Sequence, residues 1–281
     1  MANVITTAAV LDASQITIMD GEVYTSGEAY LKVDQFAYKP APIMGASEDF
    51  TFYGDIADAT TPLTDGTDPD SVALSDTKVT VSPKEYGAVV TTTKLSNLTT
   101  GGKADRGAGI TVGRNMGNTL DKLGCLALDA ATNVEDKTTF VLDRATLRLV
   151  VRDLEAAKIP KMIDDLYVLI AHPNVLHDIK DDYMDIVQYT DGDAALRGAM
   201  GMIEGCLVIS DANCTNAAGV YNSYVLGYNA LIRGTSVTPE MTITGPFDKL
   251  GRTLNVGWTG TFEYKILDDN AVTLIKNTPT A

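Results

Sequence analysis

The chain has 281 residues, of which 45% are hydrophobic and 21% charged, with a formal net charge of −15 and a pI near 4.4. The length allows one large domain or two modest ones, and the hydrophobic fraction excludes wholesale disorder. The acidic balance excludes a specific nucleic-acid reader, because gripping a phosphate backbone takes Lys and Arg to displace its counterions. It is compatible with a like-charged container for nucleic acid, and equally with acid that only keeps the protein soluble.

Cys125, Cys206 and Cys214 are odd in number and lack CxxC spacing. Neither a disulfide scaffold nor a zinc site is expected from them, and reduced, buried thiols are. The opening Met1-Ala-Asn-Val-Ile-Thr-Thr7 carries no basic stretch. No apolar run approaches the ~18 residues that span a bilayer. The expectation is a chain made and folded in a cytoplasm, without a membrane partner.

Residues 1–45 are weakly patterned: Val4–Leu11 fits a short helix or a strand, and Gly21, Gly27, Pro40, Pro42 and Gly45 then punctuate the chain. This segment lacks the periodic apolar residues of a core and reads as an extended arm lying on something else. Residues 46–95 look β-rich. Phe50 and Phe52 alternate with polar residues, Lys78–Ser82 alternates likewise, and Tyr86–Thr93 is β-branched. The polar, turn-rich Thr60–Asp70 lies between them, so the region reads as a long hairpin, which needs a partner surface to be stable.

From 101 to 132, Val112, Met116, Leu120, Leu123, Cys125/Leu126 and Ala130 recur at helical spacing, with Asn115, Asn118, Asp121 and Lys122 between them. This predicts a long helix across the body. A second helix is expected over 143–159, with Asp143 as N-cap, Leu147, Val150/Val151, Leu154 and Ala157 on one face, and Pro160 after its end. Tyr167–Ala171 reads as a buried strand, and Pro173 fits the first turn of a helix through Asp178. Further strands are expected at Gly205–Ser210, Tyr224–Ile232, Met241–Thr244, Arg252–Trp258, Phe262–Ile266 and Ala271–Ile275. The order of elements gives an α+β class.

Little in the sequence points to catalysis. Gly107, Gly109 and Gly113 form GxGxxxG without a βαβ context, so a flexible lead-in to the helix is the better reading. His172 and His177, with Asp178, are spaced by five rather than the four that would place both imidazoles on one helical face. Asp65, Asp68 and Asp70 lack the twelve-residue EF-hand pattern. No GxSxG, P-loop or HExxH occurs. Catalytic, cofactor-binding and metal residues are all expected to be none, with no enzyme activity and no cofactor.

Five stretches, in order, carry a family resemblance: Ser75–Leu95, Arg106–Thr132, Leu166–Ile179, Gly198–Ser210 and Leu250–Gly260 with Val272–Ile275. Together they resemble the major capsid proteins of tailed bacteriophages, with the fold first seen in the Hong Kong ninety-seven phage, and most nearly the family typified by the phage N-four coat protein. The resemblance implies an N-terminal arm (1–45), an extended β-hairpin loop (46–100), a spine helix with the first part of a peripheral domain (101–140), an axial domain (141–240) and closing strands of the peripheral domain (241–281). It also implies a structural subunit that assembles into pentamers and hexamers of an icosahedral shell enclosing double-stranded DNA. The implied partners are a separate scaffolding protein, a portal and a decoration protein, with assembly in the host bacterial cytoplasm and residence in the virion. The alternative is an encapsulin-like shell around cargo protein. Some members cross-link the loop to a neighbour through a lysine–asparagine bond; here Thr60–Ser71 holds no lysine, and Lys78 and Lys84 lie back on the strands, so that bond is not expected. With about 45 residues before the hairpin, neither a scaffolding-length leader nor its cleavage is expected.

Overall fold

The computed structural model describes residues 31–54, 71–180, 201–245 and 250–280, with scattered positions between 56 and 68. Val4–Leu11, and most of the arm, lie outside the described residues. Strands β1 (Glu48–Tyr53) and β2 (Asp76–Val81) pair antiparallel, Glu48 opposite Val81. Then follow β3 (Lys84–Thr93), the short helix α1 (Lys94–Thr99) and the 26-residue helix α2 (Lys103–Leu128). Beyond it come β4 (Val134–Lys137), α3 (Arg144–Ala156), β5 (Tyr167–Ala171) and the described part of a helix α4, residues 173–180. The chain closes with β6 (Met202–Ile203), β7 (Cys206–Ser210), β8 (Asn216–Ala217), β9 (Val220–Leu226), β10 (Leu231–Thr244), β11 (Thr253–Ile266) and β12 (Val272–Asn277).

Two sheets form the body. A three-stranded antiparallel sheet runs β10-β11-β3. A mixed seven-stranded sheet runs β4-β12-β9-β5-β7-β6, with β8 on β9; β5 is parallel to β7 and β12 to β4. The run Tyr167–Ala171 is apolar throughout because both faces of β5 are covered. Val168 and Ile170 join the core beneath α2, while Tyr167, Leu169 and Ala171 join the core beneath α3 and α4. Period-two alternation thus divides one strand between two cores. β9 and β12 do the same: Tyr224, Leu226, Val272 and Leu274 face α2, and Val225 and Ile275 face the other way.

α2 begins after Gly101 and Gly102, both at positive φ (64° and 84°), a conformation glycine adopts without strain. Its buried stripe is Ala108, Val112, Met116, Leu120, Cys125 and Leu128, widened by Gly109, Gly113, Gly117 and Gly124. Gly107–Gly113 is therefore helix interior rather than a flexible lead-in, and its small residues let the helix lie close on the sheet. At Gly124 a Cβ would fall 2.8 Å from the Val33 side chain, so the close approach requires glycine. Asp121, expected among the outward polar residues, is fully buried instead; its carboxylate accepts the Lys32 and Val33 N–H groups at 2.8–3.0 Å. Burial pushes its pKa up to about 7. Asp143 caps α3, accepting the Thr146 N–H at 2.8 Å.

Four sequence expectations are corrected. Tyr86–Thr93 leaves the hairpin: β3 pairs along its length with β11, Thr93 opposite Thr253, and its Tyr86 and Ala88 side chains pack on the core beneath α2. The run Tyr224–Ile232 is not one strand. It breaks at Gly227–Ala230, with Asn229 at φ 55°, and residues from Leu231 on enter the other sheet. Arg252–Trp258 and Phe262–Ile266 are one strand, since Gly260 passes opposite the irregular stretch of β10 around Pro239, where a Cβ would meet Pro239 at 2.9 Å. Finally, residues 241–281 do not stay together: β10 and β11 lie in the smaller sheet, whereas β12 inserts between β4 and β9 of the larger one.

Candidate assembly surfaces

The described part of the arm lies on the body of its own chain. Val33, Phe36 and Ala37 enter the core beneath α2. Tyr38 and Ile43 add backbone bonds to the start of β10, at Leu231, Arg233 and Thr235. Asp34 is the anchor. Its side chain, 3% exposed, accepts from Arg233 Nη1 (2.7 Å), Tyr264 Oη (2.7 Å) and Lys39 Nζ (2.8 Å). Burial by itself raises the Asp34 pKa. The Arg233 charge and the bonds from Lys39 and Tyr264 outweigh that effect and hold it below the ordinary carboxylate value. The Tyr264 hydroxyl is pushed well up, by burial first and then by Asp34.

The hairpin is different. Among the described residues its apolar packing is at the root, where Val81, Val79 and Phe50 meet Ile43, Ile232 and Leu267. Outward from there Tyr53, Ile56, Leu63, Val72 and Leu74 are exposed. A two-stranded ribbon with so little own-chain packing is marginal in water, and exposed apolar groups at this density mark a surface meant to be covered. A second exposed apolar set lies at the end of β3 and on α1, with Val89, Leu95 and Leu98, and includes Leu250 beyond β10. Of the two lysines nearest the loop, Lys78 sits on β2, paired with Asp49 at 2.6 Å, and Lys84 opens β3.

The other candidates from the sequence do not converge. His172 Nδ1 accepts the Asn174 N–H at 3.2 Å and the ring packs on Tyr221 (centroids 4.6 Å apart), while His177 is exposed on α4 and Asp178 accepts the Thr280 N–H. Asp65 and Asp68 are exposed, and Asp70 lies outside the described residues. What does converge was not expected. Cys125 near the end of α2 meets Asp211 and Cys214 from the loop after β7, all three buried, with one ligand atom of each within 4.8 Å of the others. The Cys125 thiol is pushed far up, first by its hydrogen bond with Cys214, then by burial and by Asp211 and Asp121. Beside it Asp129, the C-cap of α2, accepts from Thr215, Asn222 and Tyr224 at 2.6–2.7 Å and pins the same loop.

No known family profile and no curated protein sequence matches the chain. Solved structures do. The capsid of cyanophage P-SCSP1u superposes with a TM-score of 0.71 at 10% identity, covering 89% of this chain and 89% of that one. The capsid of Ralstonia phage GP4 gives 0.70 at 13% identity, covering 88% of each. A virus-like particle from Pyrococcus furiosus gives 0.58 at 10% identity, covering 92% of this chain and 98% of that one. Likeness over nearly the whole of both chains leads to one conclusion: the chain has the fold of the tailed-phage major capsid proteins.

Proposed function

We propose that this chain is the shell-forming subunit of a tailed-phage capsid, assembling into pentamers and hexamers that enclose double-stranded DNA. The observation that carries the reading is a capsid fold over almost the entire chain, joined to a hairpin whose outer apolar side chains Tyr53, Ile56, Leu63, Val72 and Leu74 are exposed. In a shell, a neighbouring subunit supplies their cover, as the second exposed set on β3, α1 and Leu250 also requires. The role is structural rather than enzymatic. A separate scaffolding protein, a portal and a decoration protein fit the same reading, as does assembly in a bacterial cytoplasm. With −15 charges per subunit, the lining is acidic or neutral and makes no sequence-reading contacts, since a basic lining would hold DNA through counterion release and impede its exit.

The test is electron microscopy of the chain expressed in bacteria and purified. Closed shells with five- and six-fold capsomers are expected; a monodisperse monomer or small oligomer at every salt and protein concentration tried overturns the reading. Because the Pyrococcus furiosus virus-like particle has the same fold, the contents of the shell separate a genome container from a protein-cargo container.

A further inference from the structure

We propose that Cys125, Asp211 and Cys214 form a buried site for a divalent, borderline-soft cation, Zn2+, which clamps the long helix α2 to the loop following β7. The site does not depend on the assembly reading, since one chain supplies all three ligands.

The donor set is two thiols and a carboxylate, 0%, 5% and 3% exposed respectively. Cys125 Sγ and Asp211 Oδ2 are 3.6 Å apart. For tetrahedral zinc, with Zn–S about 2.3 Å and Zn–O about 2.0–2.2 Å, the S···O edge is about 3.5–3.7 Å. Asp211 and Cys214 are separated by two residues in a turn, the same chelate spacing as in a CxxC knuckle, and Cys125 closes the set from across the fold. The carboxylate is oriented in advance: Oδ1 accepts the Asn213 N–H at 2.9 Å, which leaves Oδ2 aimed at the thiols. Asp129 fixes Thr215, one residue past Cys214, so both ligand-bearing segments are held in register. Such outer bonds are what metal ligands require to keep their geometry.

The carboxylate gives the cluster an anionic ligand for a cation. Asp211 is a buried carboxylate with no Lys or Arg paired to it among the described residues, and Asp121 sits close enough to feel it. Binding breaks two S–H bonds, forms two Zn–S bonds and one Zn–O bond, and releases two protons to solvent, with no change of oxidation state. The net charge of the cluster stays at −1, carried by two thiolates and a carboxylate around a dication instead of by the carboxylate alone. Solvent takes the fourth position, since both Asp121 oxygens already accept the Lys32 and Val33 N–H groups.

The chain should be purified without chelator and its metal measured by elemental analysis, then exchanged with Co2+. The expected result is one zinc per chain and a thiolate-to-cobalt charge-transfer band in the near ultraviolet. Both should fall to background in the C125S/C214S double variant and persist in C206S, whose thiol lies in the opposite core. The wild-type measurement stands even if the double variant misfolds. A wild-type chain without stoichiometric metal after refolding in Zn2+ overturns the proposal, as does metal that survives C125S/C214S. A Cys125–Cys214 disulfide in the purified chain, seen as a mass two hydrogens lighter, also overturns it. Capsid assembly can fail while the unassembled chain still binds zinc, so the two readings fail separately.

Discussion

Asp34→Asn is the sharpest perturbation of the way the arm is anchored. It preserves volume but removes the carboxylate paired with Arg233, whose side chain is only 13% exposed, and it takes an ionic acceptor from the Tyr264 hydroxyl. Lys39 is 44% exposed and loses little. Removing one partner of a buried ion pair typically costs ~3–5 kcal/mol, because the other charge is left without compensation. At ~2–4 °C per kcal/mol for chains of roughly this size, the variant should melt ~6–20 °C lower. The assay is near-ultraviolet circular dichroism of the unassembled subunit. The Asp34 pKa is held below its ordinary 3.8, so the stabilisation is fully present above that value and is lost as pH falls through the lower folded value. Wild type and variant should therefore differ at neutral pH and converge in acid. A second variant, Asp34→Leu with Arg233→Met, should recover much of the loss, since a well-packed apolar pair replaces buried ions at little cost. A shift under ~2 °C for Asp34→Asn, or a difference that persists unchanged into strong acid, would refute this account of the anchor.

Gly124→Ala should cost ~1–3 kcal/mol by overpacking against Val33, and Val33→Ala should restore part of it, as measured by denaturant midpoints. Asp143→Ala removes the cap of α3 and should cost ~0.5–2 kcal/mol by the same measurement, with Asp143→Ser close to wild type. Assembly, followed by light scattering, should improve as salt rises from low to ~0.15 M: like-charged subunits repel, and the screening length shrinks to ~8 Å, leaving apolar burial to drive contact. Assembly that weakens steeply with salt would instead mean that attractive ion pairs hold the interface.

Much of the local structure was legible because its causes are local. The apolar repeat from Val112 to Leu128 reports a helix with one covered side, Asp143 caps the helix that follows it, and Pro173 sits in a first helical turn. The unbroken apolar run Tyr167–Ala171 reports a strand covered on both faces. The order of hairpin, long helix and mixed block sufficed for an α+β class and for the capsid resemblance. Pairing was not legible. Alternation in Tyr86–Thr93 says that one face is covered, and nothing in it distinguishes β2 from β11 as the neighbour. Val272–Ile275 reads as a strand, but its place between β4 and β9 depends on residues far away in sequence. The same limit hid the cysteines. Cys125 lies 86 residues from Asp211, so their spacing carries no motif, and Asp121 passed for a surface residue because a lone polar position on a helix does not announce what it faces. The sequence by itself determined most of where the chain turns, coils and extends, since those preferences act over a few residues, although the break at Gly227–Ala230 and the unbroken Thr253–Ile266 strand escaped it. Which strands became neighbours, and which buried polar groups met, was decided only by the tertiary structure, because burial of apolar surface is non-directional and shape complementarity alone selects among the partners it permits.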